Sequence, residues 1–218
     1  MKKLVHTMTQ LSRGVLGLAL GLMLAIPVSA ETLTVYTAVE AEDLKRYAAE
    51  FNKDHPDIKI RWVRDSTGIV TAKLLAEKNN PRAASIWGRA ATSLMLLQSE
   101  GMLQPYEPKG LGKIDSKFRD SANPPSWTGM DAWIAGVCVN TVEAKKYNLP
   151  TPTSWMDLTD PVYKGHLVMP NPNSSGTGFL DVSSWLQMYG ERGGWQFMDN
   201  LHENIAWYTH SGSKPCKQ

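Results

Sequence analysis

The first thirty residues of this 218-residue chain contain no aspartate or glutamate. They do contain Lys2, Lys3 and Arg13, followed by an apolar run from Val15 to Val28 that ends in Val28-Ser29-Ala30. A basic start, a short apolar stretch and small residues at the cleavage positions read as a secretory signal over residues 1–30, removed after Ala30. The run is shorter than the ~20 residues a membrane-spanning helix needs. It also holds Gly17, Gly21 and Pro27, which argues against an anchor. No cysteine follows Ala30, so a lipid anchor is not expected, and no second apolar stretch approaches spanning length. An excess of charge of one sign is lacking too. Removing Lys2, Lys3 and Arg13 from the 23 basic residues leaves 20 against 21 acids, a net of −1 for the exported part. That balance gives no support for nucleic-acid or membrane-surface binding.

Cysteine is scarce. Cys138 and Cys216 are the whole supply. Export places them in an oxidising compartment, where an even count of two favours a disulfide between them over two separate buried thiols. Catalytic signatures are missing as well. There is no G-x-S-x-G, no H-E-x-x-H and no G-x-x-x-x-G-K-[ST]. Ser211-Gly212-Ser213-Lys214 has the S-x-x-K spacing, but neither S-D-N nor K-T-G accompanies it. A serine hydrolase acting through Ser211 and Lys214 is therefore the weakest of the functional readings. His166, His202 and His210 are too scattered to suggest a metal site, and no cofactor is expected.

What is present is a globular composition, 42% hydrophobic and 20% charged. The spacing predicts a strand at Thr32–Thr37, a helix at Ala41–Asp54, a strand at Ile58–Val63, a helix at Gly68–Lys78, a strand at Ser85–Trp87 and a helix at Ala90–Glu100. Gly101 suits a left-handed cap after the last of these. Gln104–Ser126 is rich in Pro and Gly and reads as irregular, whereas Trp127–Asn140 reads as extended. A second region is expected to carry a helix near Thr141–Tyr147, a strand at His166–Met169, helices near Gly178–Tyr189 and Gly194–Glu203, a strand at Ile205–Thr209 and a helix start at Ser213. Strands alternating with helices imply an α/β fold of two lobes, residues 31–130 and 131–218. The second lobe reads as unfinished, so the chain is expected to be a fragment of a longer protein.

Ligands of open α/β sheets bind beyond the carboxyl ends of the strands. The loops there are Tyr36–Glu40, Ser66-Thr67-Gly68, Trp87-Gly88 and Ser174-Ser175-Gly176-Thr177-Gly178. Two of them place Ser, Thr and Gly immediately before a helix, where unpaired N–H groups and the helix dipole favour an anion. Serine and threonine in that position are also ordinary helix caps. The anion reading is preferred for Ser174–Gly178, and both readings stay open for Ser66–Gly68. Trp87 walls the cleft or belongs to the core. Glu40 and Asp131 hold a ligand ammonium group or are simply solvated. His210 is a cleft residue or a surface-loop residue.

Several segments carry a family resemblance. Leu33-Thr34-Val35-Tyr36-Thr37-Ala38, Pro152-Thr153-Ser154-Trp155-Met156-Asp157-Leu158, Tyr163-Lys164-Gly165 and Met169–Gly178 resemble periplasmic solute-binding proteins of the iron(III), polyamine and thiamine type. Ser66-Thr67-Gly68, Ile86-Trp87-Gly88, Asn123–Trp127 and Thr209–Cys216 are similar to the branch that binds 2-aminoethylphosphonate. The resemblance implies a two-lobed type II clamp that closes on a small anion and docks, as a monomer, on an ATP-driven permease. It implies that Tyr36, Thr37, Ser66, Thr67, Trp87, Ser174, Ser175, Gly176 and Thr177 line the cleft; Gly68, Gly88 and His210 are further candidate binding residues. Ferric ion is the alternative ligand within the same superfamily. The sequence departs from the family at Ala83-Ala84-Ser85, where an Asp usually precedes the Ile-Trp-Gly segment.

Overall fold

Leu33 and Val35 alternate with threonines, a pattern suited to a pleated, covered surface. In the computed structural model, which describes residues 31–217, they lie on β1 (Glu31–Thr37). The signal assigned to residues 1–30 lies outside the described residues. Among the described residues no helix is long and apolar enough to cross a membrane. β1 pairs in parallel with β2 (Ile58–Arg64) on one side and β3 (Ser85–Trp87) on the other. As the central strand it is buried from Thr34 to Thr37. The crossovers are α1 (Ala41–Asp54) and α2 (Thr67–Ala76), and α3 (Ala91–Ser99) follows β3. Tyr36, Val70, Leu74 and Leu97 form the first core, with Val63 and Ile86 packed against it. Burying each such side chain contributes about 1.5–3 kcal/mol.

The second lobe repeats the logic with fewer strands. β4 (Leu167–Pro170) and β5 (Ile205–Thr209) pair in parallel, joined by α5 (Gly176–His202). Its core is Leu158, Trp185, Phe197 and Leu201. The Trp185 ring meets Trp155 and Phe197 edge to face, at 5.5 and 5.1 Å between centroids. α5 covers the two helices expected there, and the break between them is real: Gly190 has φ 74° and ψ 168° inside the span. Upstream, α4 (Thr141–Tyr147) starts at Asn140, whose side chain accepts from the Val142 and Glu143 amides. Cys138 and Cys216 are disulfide-bonded.

Two expectations need correction. Trp127–Asn140 forms no strand; among the described residues its sheet-like pairing is limited to an isolated bridge from Thr128 to Arg119. Extended backbone becomes a strand only when a neighbour takes its N–H and C=O groups. Among the described residues that happens in this segment only at the bridge, where the Trp127 carbonyl accepts from Asp120 and the Gly129 amide donates to Phe118, and Ile134 is 94% exposed. Likewise Ser213 does not open an α-helix: only a 3₁₀ turn forms, at Pro215–Lys217.

Candidate functional site

The strands of the first sheet end at Thr37, Arg64 and Trp87. The loops that follow them meet the loops after β4 and β5. Backbone meets backbone at one point: the Gly68 amide, in the first turn of α2, donates to the Ser174 carbonyl at 2.8 Å. Glycine is required on both sides of that contact. A Cβ on Gly68 would sit 2.3 Å from the Asn173 carbonyl oxygen, and one on Gly176 2.7 Å from Thr67 Oγ1. Three side-chain bonds also clasp the lobes, one of them from the Lys217 ammonium to Glu42 at 3.5 Å. The His210 imidazole bonds the Asp65 carboxylate at 2.6 Å, and the Ser213 hydroxyl donates to Glu40 at 2.6 Å. Glu40 also pairs with Arg64 at 2.7 Å. The His210 hydrogen bond holds the Asp65 carboxyl below its ordinary value.

The amino ends of α2 and α5 therefore face one another. In α5, Ser175 acts as an ordinary cap, its hydroxyl accepting from the Thr177 and Gly178 amides at 3.2 and 3.3 Å. The Ser174 hydroxyl donates to the His210 carbonyl at 2.8 Å. In α2, the Ser66 side chain makes no cap bond, and its amide donates to Asp65 at 2.7 Å. Among the described residues the Thr67, Ile69 and Gly176 amides have no acceptor. A cavity of 340 Å³ opens at this junction, lined by Ile69 of α2 and by Asn171, Asn173, Ser174, Tyr208, Thr209 and His210 of the second lobe. Its size lies within the range that holds small ligands.

A residue the sequence reading passed over adds charge here. Arg89 Nη2 donates to the Thr67 carbonyl and to the Thr71 and Ser93 hydroxyls, which places a guanidinium under the first turn of α2. Burial pushes its pKa down to about 10, so it stays cationic at neutral pH. Its Nε and Nη1 are buried and have no partner. The available signal was its position, directly after Trp87-Gly88 at a strand end.

Other expected site residues do structural work. Tyr36 sits in the first core and donates its hydroxyl to Glu77 at 2.7 Å; burial raises its phenol pKa. Thr37 is fully buried, and its hydroxyl accepts from the Val39 amide at 3.1 Å, shaping the loop behind β1. Trp87 packs against Tyr47 and Trp62, at 5.0 and 5.7 Å between ring centroids. Gly88 has φ 62°, and a Cβ there would meet Val39. Asp131 is exposed in the strandless segment. Ser211 and Lys214 share no side-chain hydrogen bond; the Lys214 amide donates to the Ser211 carbonyl at 3.4 Å. Among the described residues no three His, Cys, Asp or Glu side chains cluster as a metal site would require.

Comparison with known proteins converges on one family. The profile of the bacterial extracellular solute-binding proteins matches residues 90–212, more than half of the chain. The chain belongs to that family. An uncharacterised protein of Haemophilus influenzae is 32% identical over 164 residues, 74% of this chain and 47% of the relative. A probable ABC transporter periplasmic-binding protein of Sinorhizobium fredii, y4fP, is 26% identical over 183 residues, 82% of this chain and 49% of the relative. The periplasmic binding protein AfuA of Actinobacillus pleuropneumoniae was solved with exogenous fructose-6-phosphate bound. It superposes with a TM-score of 0.75 at 31% identity, covering 87% of this chain and 60% of AfuA. This solute-binding protein thus has the type II periplasmic-binding-protein fold, and the chain spans about half the length of the curated relatives it matches.

Proposed function

We propose that this solute-binding protein is a periplasmic component of an ABC importer, holding a small solute by its phosphoryl group between lobes 31–130 and 131–218. The observation that carries the reading is the Gly68–Ser174 hydrogen bond, which brings the amino ends of α2 and α5 together beside a cavity that Ile69 and Ser174 help to line. Free amides at Thr67, Ile69 and Gly176 add to the positive ends of the two dipoles, and Arg89 adds a full charge beneath. In this reading the Ser66 and Thr67 hydroxyls complete the anion's hydrogen bonds, and closure places the ligand out of water, where each bond counts for more. The ligand is 2-aminoethylphosphonate, with Asp65, which meets His210 across the junction, taking its ammonium group. The relative AfuA, with its sugar phosphate, makes a phosphate ester the natural competitor. The protein returns the ligand unaltered and passes it, as a monomer, to an inner-membrane permease.

Titration calorimetry against 2-aminoethylphosphonate, fructose-6-phosphate, inorganic phosphate and ferric ion tests this. Saturable heat with 2-aminoethylphosphonate is expected, with affinity at least ~10-fold weaker in Gly68→Ala, because the new methyl pushes Asn173 away and separates the lobes. Heat with fructose-6-phosphate alone would keep the phosphoryl site and reject the phosphonate. Heat with ferric ion alone, or with none of the four, would reject the phosphoryl reading.

A further inference from the structure

Arg89 is a cation whose partners are all neutral. It follows Gly88 at the end of β3 and reaches between the first turns of α2 and α3. Its Nη2 donates to the Thr67 carbonyl and the Thr71 hydroxyl of α2, and to the Ser93 hydroxyl of α3 at 2.9 Å. Thr71 and Ser93 are buried and bond each other at 2.7 Å, and the Thr71 hydroxyl donates to the Thr67 carbonyl at 2.6 Å. Among the described residues the carboxylates near these loops are engaged elsewhere: Asp65 with His210, Glu40 with Arg64 and Glu77 with Lys73.

Three unfavourable terms meet at this side chain. Taking a charge out of water without an opposite charge beside it is costly. The Nε and Nη1 groups are buried and unpartnered, which adds to that cost. The positive ends of two helix dipoles face the guanidinium, where a cation is disfavoured. An apolar side chain of similar length would serve the fold as well, since Thr67, Thr71 and Ser93 already satisfy one another. A cation kept there against these terms points to a negative charge that arrives with the solute. The path to the junction is one peptide group long. The Thr67 carbonyl that accepts from Arg89 and the Gly68 amide that donates to Ser174 belong to the same peptide group. Bonds in such a chain polarise one another, so the cation makes that amide a stronger donor.

We propose that Arg89 sets the charge of the solute, giving the junction of α2 and α5 a preference for a doubly charged group over a singly charged group of the same shape. The inference rests on the phosphoryl reading and deepens it. Arg89 acts through its field and through the Thr67–Gly68 peptide group, as a positioning residue. One unit charge at ~8 Å and an effective dielectric of ~20 is worth roughly 30-fold in affinity.

Two amines of the same shape test this, 2-aminoethylphosphonate and 2-aminoethylsulfonate. At about pH 8 the phosphonate has lost its second proton, whereas the sulfonate carries a single negative charge. Titration calorimetry with both compares the unsubstituted protein, Arg89→Met and Arg89→Lys. The unsubstituted protein should prefer the phosphonate. Arg89→Met should lose roughly 30-fold of that preference while melting no lower, and Arg89→Lys should keep most of it. An unchanged preference in Arg89→Met, or equal binding of both amines by the unsubstituted protein, would overturn the proposal and leave the phosphoryl reading standing. Binding of neither amine nor of any other phosphoryl compound would reject that reading, and this inference with it. If Arg89→Met does not fold, Arg89→Gln takes its place. If neither neutral variant folds, Arg89 holds the first lobe together and the proposal is refuted.

Discussion

Asn204 shows how one buried side chain can hold a lobe's turns in place. It is 3% exposed, and its amide nitrogen donates to the Leu158 and Asp160 carbonyls, both at 2.8 Å. Asn204→Ala strands both acceptors, so denaturant unfolding should show a loss of about 1–3 kcal/mol; a change near zero would mean the turn is held otherwise. At this scale the sequence was legible for backbone and poorly legible for side-chain duty. Ser, Thr and Gly before a helix marked two helix starts, and the Gly68–Ser174 bond brings those starts together. They did not reveal that Ser175 spends its hydroxyl as a cap, while Ser66 does not. Tyr36 and Trp87 stand at strand ends, yet one turns to Glu77 and the other to Tyr47 and Trp62. Such choices are made by tertiary neighbours, which spacing along the chain does not encode. Arg89 and Asp65 were missed because a lone charge after a strand carries no pattern.

Among elements, α3 ends as its sequence indicates. The Gly101 amide bonds the Gln98 carbonyl and the Met102 amide the Leu97 carbonyl, with Gly101 at φ 68°, the bonding of a Schellman cap. A Cβ there meets nothing within 4 Å, so the cost of Gly101→Ala is conformational alone. It should be about 1 kcal/mol, read as a lowered melting temperature with no change in ligand affinity. β1 to β3 and α1 to α3 were legible because each buries an apolar face of its own within a local βαβ unit. Trp127–Asn140 was read as extended, yet it has no ladder partner beyond the bridge from Thr128 to Arg119. A strand is a property of two segments, and periodicity reports only one. The single span of α5 across Gly190 was read as two helices for the sound reason that the backbone breaks there.

For the molecule as a whole, polar bonds join the lobes: Gly68 to Ser174, Asp65 to His210, Glu40 to Ser213 and Glu42 to Lys217. Asp65 is the one whose protonation matters most. Its pKa is lowered in the folded state, so its stabilising bond to His210 is fully present above the ordinary carboxylate pKa and is lost as pH falls through the lowered value. Acidification below about pH 4 should therefore loosen the lobes, seen as a larger radius by small-angle scattering, and Asp65→Asn should remove the pH dependence of that step. Asp157 behaves in the same sense within the second lobe: hydrogen bonds from Ser154 and Thr153 hold its pKa down to about 2, so its turn is lost only as pH falls through that value. Two lobes and their sheets were readable from the alternation of elements. Their direct clasp was not, because it rests on single bonds between residues far apart in sequence, 145 positions for Asp65 and His210.

The central claim is that amides from two helix starts share one phosphoryl group. Titrating ¹⁵N-labelled protein with 2-aminoethylphosphonate while following amide shifts tests it directly. The Thr67, Ile69 and Gly176 amides should move together, saturably and with a single dissociation constant. Saturable binding that leaves all three unmoved would contradict the account.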